Sequence, residues 1–377
     1  MKLTFVMVGS GARPIGGFRV IYEYANRLMR RGHRVTLVHA PYLRAGSLPT
    51  PRSVSVYVAK QLGVRGGPTP RAWFTLDPKV DLLWRPSLAS RWIPDGDVVI
   101  ATAWETAEWV ATYPRTKGRK YYFIQDDGSV YPTATADRVV RSYTLPLTKL
   151  TISQWLADTV SQVAGPVVWV PNGLNEEDFG VDVPIEARPP NSIVMAYRRA
   201  AHKGPEDGLN ALRLVAQQHP ITVRLFGFDP PPILPSGWSY SFSPSRRELR
   251  ALYNASAVFL SASRSEGWGL PPCEAAQCGV ALAVTDIGGH REWASPNSNA
   301  LLSPPGDPSA LAANVLQLIE DDGLRTRLAC AGLQTMKAFS WSKAVDRFEA
   351  IVDGVECTTS GSGASRGHRD GARHDRN

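Results

Sequence analysis

Cysteine is scarce: Cys273, Cys278, Cys330 and Cys357 are the whole supply in 377 residues. Their irregular placement matches no zinc site, whose ligands recur at short fixed spacings. Free thiols in a reducing cytoplasm are the expectation. Long hydrophobic runs are missing as well. Nothing approaches the roughly 18 consecutive apolar residues that cross a bilayer. "MKLTFVMVGSG" at the start has a short apolar run that suits a first strand better than a signal peptide. No basic stripe interleaved with aromatics is present, so nucleic acid is not an expected partner. Acidic residues are the minority, 34 against 42 basic, for a formal charge of +8. That excess is diffuse and much of it is arginine; it favours phosphorylated ligands or contact with an anionic membrane surface, unless it is only a solvated face. The literal D-x-D of Asp95–Asp97 lies in "IPDGDVVIA" and reads as a turn entering a strand, not a metal site.

What remains is 43% hydrophobic and 20% charged, an ordinary globular composition long enough for two domains of about 150–200 residues each. "LTFVMVG", "RVTLVHA", "DVVIATA" (Asp97–Ala103), "KYYFIQ" (Lys120–Gln125), "LTIS" and "VVWVPNG" read as short buried strands. A helix over about Phe18 to Arg31 places Val20, Tyr24 and Leu28 on one face and stops at Gly32. The pattern then restarts: "SIVMAY" (Ser192–Tyr197), a helix from about Pro205 to Gln218, "ITVRLFG", a capping box at Ser245–Glu248, "AVFLSAS" and "VALAVT". Strands alternating with helices predict an α/β architecture with parallel sheets. Two such halves, divided by the polar, proline-rich Gly173–Asn191, predict two Rossmann-like domains facing a central cleft. A last helix covers about Trp341–Asp353, and a tail without apolar residues is expected to be disordered.

"RSEGWGLPPCEAA" (Arg264–Ala276) sets Glu266 and Glu274 eight residues apart. Pro271 and Pro272 suit the first turn of a helix, where a missing N–H costs nothing. Glu266 is thereby expected on a loop at a strand's carboxyl end and Glu274 in the first turn of the helix. A helix N-terminus behind glycines holds anions on backbone N–H groups, so the stretch predicts a ligand with phosphate in its middle and hydroxyls at either side. A glycosidase pair is the competing reading, but such a pair has no use for glycines and a helix N-terminus between its carboxylates.

"EGWGLPPCE" resembles the E-x7-E motif of retaining glycosyltransferases of the family 4 type, which have the GT-B fold. The resemblance spans about residues 3–353. It implies that Glu266 bonds the transferred sugar, that Gly267, Trp268 and Gly269, with Leu270 beside them, approach a diphosphate, and that Glu274 takes the ribose. "YRRAAHKG" resembles that family's G-R-x4-K-G segment, with Tyr197 in place of glycine. It makes Arg198 and Lys203 the diphosphate cations, with Arg199 competing for the arginine role. Two fixed cations suit a leaving group that gains negative charge. Near the start, Pro14 and the His39-Ala40 strand end depart from a dinucleotide fingerprint. Gly16 and Gly17 instead match the family's N-terminal glycine pair beside the donor. "VPNGLNEEDF" is similar to its hinge, with Asn175 for aspartate, and "IGGHREW" to a loop that sets Glu292 near the donor. Where many members carry a histidine, "YYFIQDD" supplies Gln125, Asp126 and Asp127, as in a rhamnosyltransferase branch using a deoxythymidine-diphosphate sugar.

The resemblance implies residues 1–173 as acceptor domain, 174–340 as nucleotide-sugar domain, 341–356 as a helix packing back toward the first domain, and 357–377 as tail. It implies a metal-independent transferase without cofactor. Retention follows from front-side attack, or less directly from a double displacement with Glu266 as nucleophile. Asp126, ahead of Asp127, is the candidate charge near the reacting carbon. Fold does not fix function, so an epimerase or phosphorylase on the same frame, or a binder without turnover, stays open. The acceptor hydroxyl compound, a lipid-linked glycan or a soluble scaffold, is not legible.

Overall fold

The computed structural model describes residues 1–9, 15–40, 51, 55, 58, 69–131 and 133–354. Cys357 and the 357–377 tail lie outside them. Two sheets, parallel in every pairing, form the frame. The first contains β1 (Lys2–Met7), β2 (Arg34–His39), β3 (Asp81–Trp84), β4 (Val98–Ala101), β5 (Arg119–Ile124), β6 (Thr148–Thr151) and β7 (Val167–Trp169), ordered β3-β2-β1-β4-β5-β6-β7. The second contains β8 (Ser192–Ala196), β9 (Thr222–Gly227), β10 (Ser239–Phe242), β11 (Val258–Ser261), β12 (Ala281–Thr285) and β13 (Leu301–Ser303), ordered β10-β9-β8-β11-β12-β13. Helices cover both faces, so strands such as β12 are buried along their whole length and read as continuous apolar runs.

The helices are α1 (Gly16–Arg30), α2 (Trp104–Ala111), α3 (Thr133–Tyr143), α4 (Gln154–Ala164), α5 (Pro205–Ala216), α6 (Arg246–Asn254), α7 (Leu270–Gln277), α8 (Gly288–Arg291), α9 (Pro308–Glu320), α10 (Asp322–Met336) and α11 (Trp341–Asp353). Their starts follow local chemistry. Ser153, Ser245, Asp307, Asp321 and Ser340 each cap a helix with a side-chain oxygen, and Ser245 and Glu248 complete the expected capping box. α1 begins two residues earlier than its periodicity predicts, which takes Gly16 and Gly17 into its first turn. β6 ends at Thr151, because Ile152 and Ser153 turn into α4, and "VVWVPNG" forms a strand only through Trp169.

The chain crosses between the sheets twice, and the crossings touch. Leu174 N–H donates to Phe339 O at 2.8 Å. Gly173 packs so closely on Trp341 that a side chain there would overlap it. α11 then lies against the first sheet, with Phe348 stacked on Phe5 and Trp341 edge-on to Tyr24. No helix among the described residues is long and apolar enough to cross a membrane.

Each sheet has one point where its strand order reverses: β1/β4 in the first, β8/β11 in the second. Loops leaving neighbouring strands there diverge, and the crevice between them is where open α/β sheets bind ligands. The loops after β8 and β11 carry Lys203 and Glu266, and the neighbouring β5 ends just before Asp126 and Asp127.

Candidate active site

Lys203 leaves the carboxyl end of β8 and Glu266 leaves that of β11, and the two meet. Lys203 Nζ lies 2.6 Å from Glu266 Oε2. The pair is built by its own loops. Gly204 takes a left-handed conformation (φ +57°) that ends the lysine turn and caps α5, and any side chain there would run into Ala262 O. His202 O accepts from the Arg264 and Ser265 amides, and Arg264 grips Asp207 with two bonds of 2.8 and 3.0 Å. On its other oxygen Glu266 accepts from Ser263 Oγ at 2.9 Å. Burial works against its ionisation, but the charge and hydrogen bond of Lys203, with help from Ser263 and His290, hold the carboxyl below its usual range. His290 beneath this loop is fully buried, and burial lowers its pKa; its Nδ1–H donates to Thr285 O at 2.7 Å.

Across the cleft, β5 delivers Asp126 and Asp127. Ser265 Oγ reaches Asp127 Oδ1 at 3.5 Å, so the two domains' loops touch here. Asp126 is half-buried, and its carboxyl is pushed up to about 7 by burial first, then by the charges of Asp127 and Glu105, against the pull of Lys203 and a Tyr131 hydrogen bond. Glu105, in the first turn of α2 after β4, is itself raised by burial. Asp126 therefore titrates near neutral pH, within the field of Lys203.

The other expected residues divide. Arg198 is near but engaged: its Nε donates to Asp229 Oδ2 at 3.1 Å, which also accepts the Arg199 amide at 2.8 Å. Gly16 faces Leu270, and Gly17 O accepts from Gln125 Nε2 at 3.3 Å, so the glycine pair sits against the donor loop. Gly267 abuts the backbone of Gln125 with no room for a side chain, and Gly269 (φ +86°) caps α7. The Trp268 side chain is buried in the core, leaving only its backbone for a ligand. Glu274 is corrected in place: it is the fifth residue of α7, in the second turn, because Leu270, Pro271 and Pro272 begin the helix. It is buried, pairs with Arg19 of α1 and accepts from Tyr253 OH at 3.3 Å. Glu292 accepts the Trp155 amide at 2.8 Å from the opposite domain. The two prolines also remove two of the four free amides that an α7 N-terminus would offer an anion. Asp95 lies outside this cleft, paired with Lys117 at 2.7 Å.

The architecture has known counterparts. The chain superposes on sucrose-phosphate synthase from Thermosynechococcus elongatus with a TM-score of 0.73, at 15% identity, over 94% of this chain and 99% of that one. It superposes on Anabaena HepE, crystallised with UDP and glucose, with a TM-score of 0.69, at 15% identity, over 94% and 100%. The fold is GT-B. Residues 239–335 match the family model Glycosyl transferases group 1, a stretch that holds both glutamates of the motif and Glu292. D-inositol 3-phosphate glycosyltransferase 1 of Catenulispora acidiphila is 33% identical over 104 residues, 28% of this chain and 25% of that protein. O-antigen chain mannosyltransferase B of Escherichia coli is 35% identical over 94 residues, 25% of this chain and 24% of that one. The matched stretch thus spans about a quarter of each relative's length.

Sequence reasoning missed Ser263, Asp229, Glu105, Arg19 and Trp155. Asp229 follows β9 directly and was findable by its strand-end position. Ser263 and Glu105 likewise lie just past the ends of β11 and β4, whereas Arg19 and Trp155 act across the chain and nothing local marks them.

Proposed function

We propose that this protein is a retaining, metal-independent glycosyltransferase that moves a sugar from a nucleoside diphosphate to an acceptor hydroxyl. One observation carries the reading: the Lys203–Glu266 pair at the switch point of one sheet faces Asp126 and Asp127 at the strand end of the other. The group 1 match and the relatives' glycosyltransferase names support it. In this reading Lys203 and Arg198 meet the diphosphate, and the 267–270 backbone approaches it. Glu266, already ionised and oriented, accepts a hydroxyl of the transferred sugar. The acceptor oxygen bonds to the anomeric carbon as the bond to the diphosphate oxygen breaks on the same face, and that oxygen takes the acceptor's proton. The fixed cations stabilise the charge that develops on the leaving group, and the protein contributes position and electrostatics.

Incubation with a panel of nucleotide sugars tests this. Slow donor hydrolysis, and transfer once an acceptor is supplied, is the expected result. An epimerised donor, or binding without turnover, would replace the reading with a different activity on the same fold.

A further inference from the structure

We propose that the 287–292 loop is an interdomain latch, with Trp155 as its wedge, that holds Glu266 in position. Its consequence for catalysis rests on the transferase reading; the latch itself does not.

The residues on both sides are specific. Ser153 caps α4 by accepting the Leu156 amide, which leaves the amides of Gln154 and Trp155 without a partner inside their own domain. Glu292 comes from the other domain and takes them, with Oε1 2.8 Å from the Trp155 nitrogen and a further bond to Gln154. Burial raises its carboxyl above the usual range, while these two amides favour the ionised form. Gly288 and Gly289 have separate tasks. A Cβ on Gly288 would occupy the place of the Trp155 indole, and a Cβ on Gly289 would overlap the carbonyl of Glu266. The two glycines therefore lie between the α4 wedge on one side and the backbone of the site glutamate on the other. Docking at α4 fixes the floor on which Glu266 rests, so Glu292, bound to the α4 amides, acts as a positioning residue through Gly289.

Hydrogen exchange on the full chain reads the latch without any substrate. Gly288→Ala sets a methyl against the indole, so the loop withdraws. Gln154 and Trp155 amides should exchange ~5-fold faster or more. The Arg264 and Ser265 amides, bonded to His202 O in the glutamate's loop, should follow. Leu156, capped from within its own domain, should not change, and it reports that the domain is folded. Gly288→Ala combined with Trp155→Ala restores the room and should restore protection at all four amides. Unchanged exchange in Gly288→Ala, or no recovery in the double variant, would overturn the latch. With a donor found by the panel, kcat should fall ~10-fold in Gly288→Ala and recover in the double variant. Lost protection with intact kcat would overturn the positioning of Glu266. A wild-type protein that shows this exchange pattern but no turnover counts against the transferase reading and leaves the latch standing.

Discussion

Lys203→Met removes the cation that pairs with Glu266, and its cost can be worked from the geometry. The charged atoms are 2.6 Å apart, and the side chains are 27% and 16% exposed. Exposed pairs contribute about 0.2–1 kcal/mol, whereas breaking a buried pair costs about 3–5 kcal/mol because a charge is left uncompensated. This pair lies between those limits, and Ser263 still serves one carboxylate oxygen. A coupling of about 2 kcal/mol is the reasoned value. Glu266 titrates below its ordinary value in the fold, so the pair's contribution is complete above the unfolded value of ~4.3 and is lost as pH falls through the folded one. A double-mutant cycle of Lys203→Met and Glu266→Gln, followed by urea unfolding of the full chain, measures it. Coupling should be about 2 kcal/mol at pH 7, hold down to about pH 5 and shrink only below about pH 4. Additivity within about 0.5 kcal/mol at pH 7 would refute the pair as an energetic unit.

Asp126→Asn tests the raised carboxyl: its pKa of about 7 lies above the unfolded ~3.9, so the fold holds a proton the unfolded chain has released, and stability falls as pH rises between the two. The variant should melt higher than wild type at pH 8 and equally at pH 4; a gain confined to pH 4 contradicts the assignment. Turnover in Asp126→Asn should drop ~10²-fold with donor affinity little changed. EDTA should leave turnover intact, since Lys203 and Arg198 answer the phosphate charge; activity lost to EDTA and restored by magnesium would turn attention to Asp126 and Asp127 as ligands. Asn175→Asp should lower the melting temperature by several degrees, and an unchanged or raised value would show that its hydrogen bonds are dispensable.

The frame was legible because parallel strands buried on both faces write themselves as apolar runs, and "AVFLSAS" and "VALAVT" are such runs. "DLLW" (β3) escaped because its four residues are only half-buried, show no alternation and hold an apolar run of just Leu82, Leu83 and Trp84. The Lys203–Glu266 neighbourhood was legible for a topological reason: both residues lie in loops that leave the carboxyl ends of strands, and β8 and β11 pair side by side. Their direct contact was not, since the sequence reading gave one to phosphate and the other to sugar. Glu274 shows the limit most clearly. Its motif position carries no trace of Arg19, which lies 255 residues away.

The departures from the resembled family become intelligible as packing. Gln125 stands where a histidine is usual, and its amide bonds Gly17 O while the adjoining backbone receives Gly267. Tyr197, in a glycine's place, is buried edge-on to Tyr240, whose hydroxyl donates to Asp229 O at 2.5 Å and so steadies the partner of Arg198. Asn175 replaces an aspartate at the hinge for a reason of charge. Its Nδ2 donates to Glu23 at 2.7 Å and to Asp178 at 2.9 Å, while its Oδ1 accepts from Arg27 at 2.5 Å. An aspartate could keep only the last of these. It would add a third carboxylate beside two that already share Arg246, and like charges so placed repel. An amide at 175 is thus the residue that the surrounding acids select, because it alone donates to them while still accepting from the arginine.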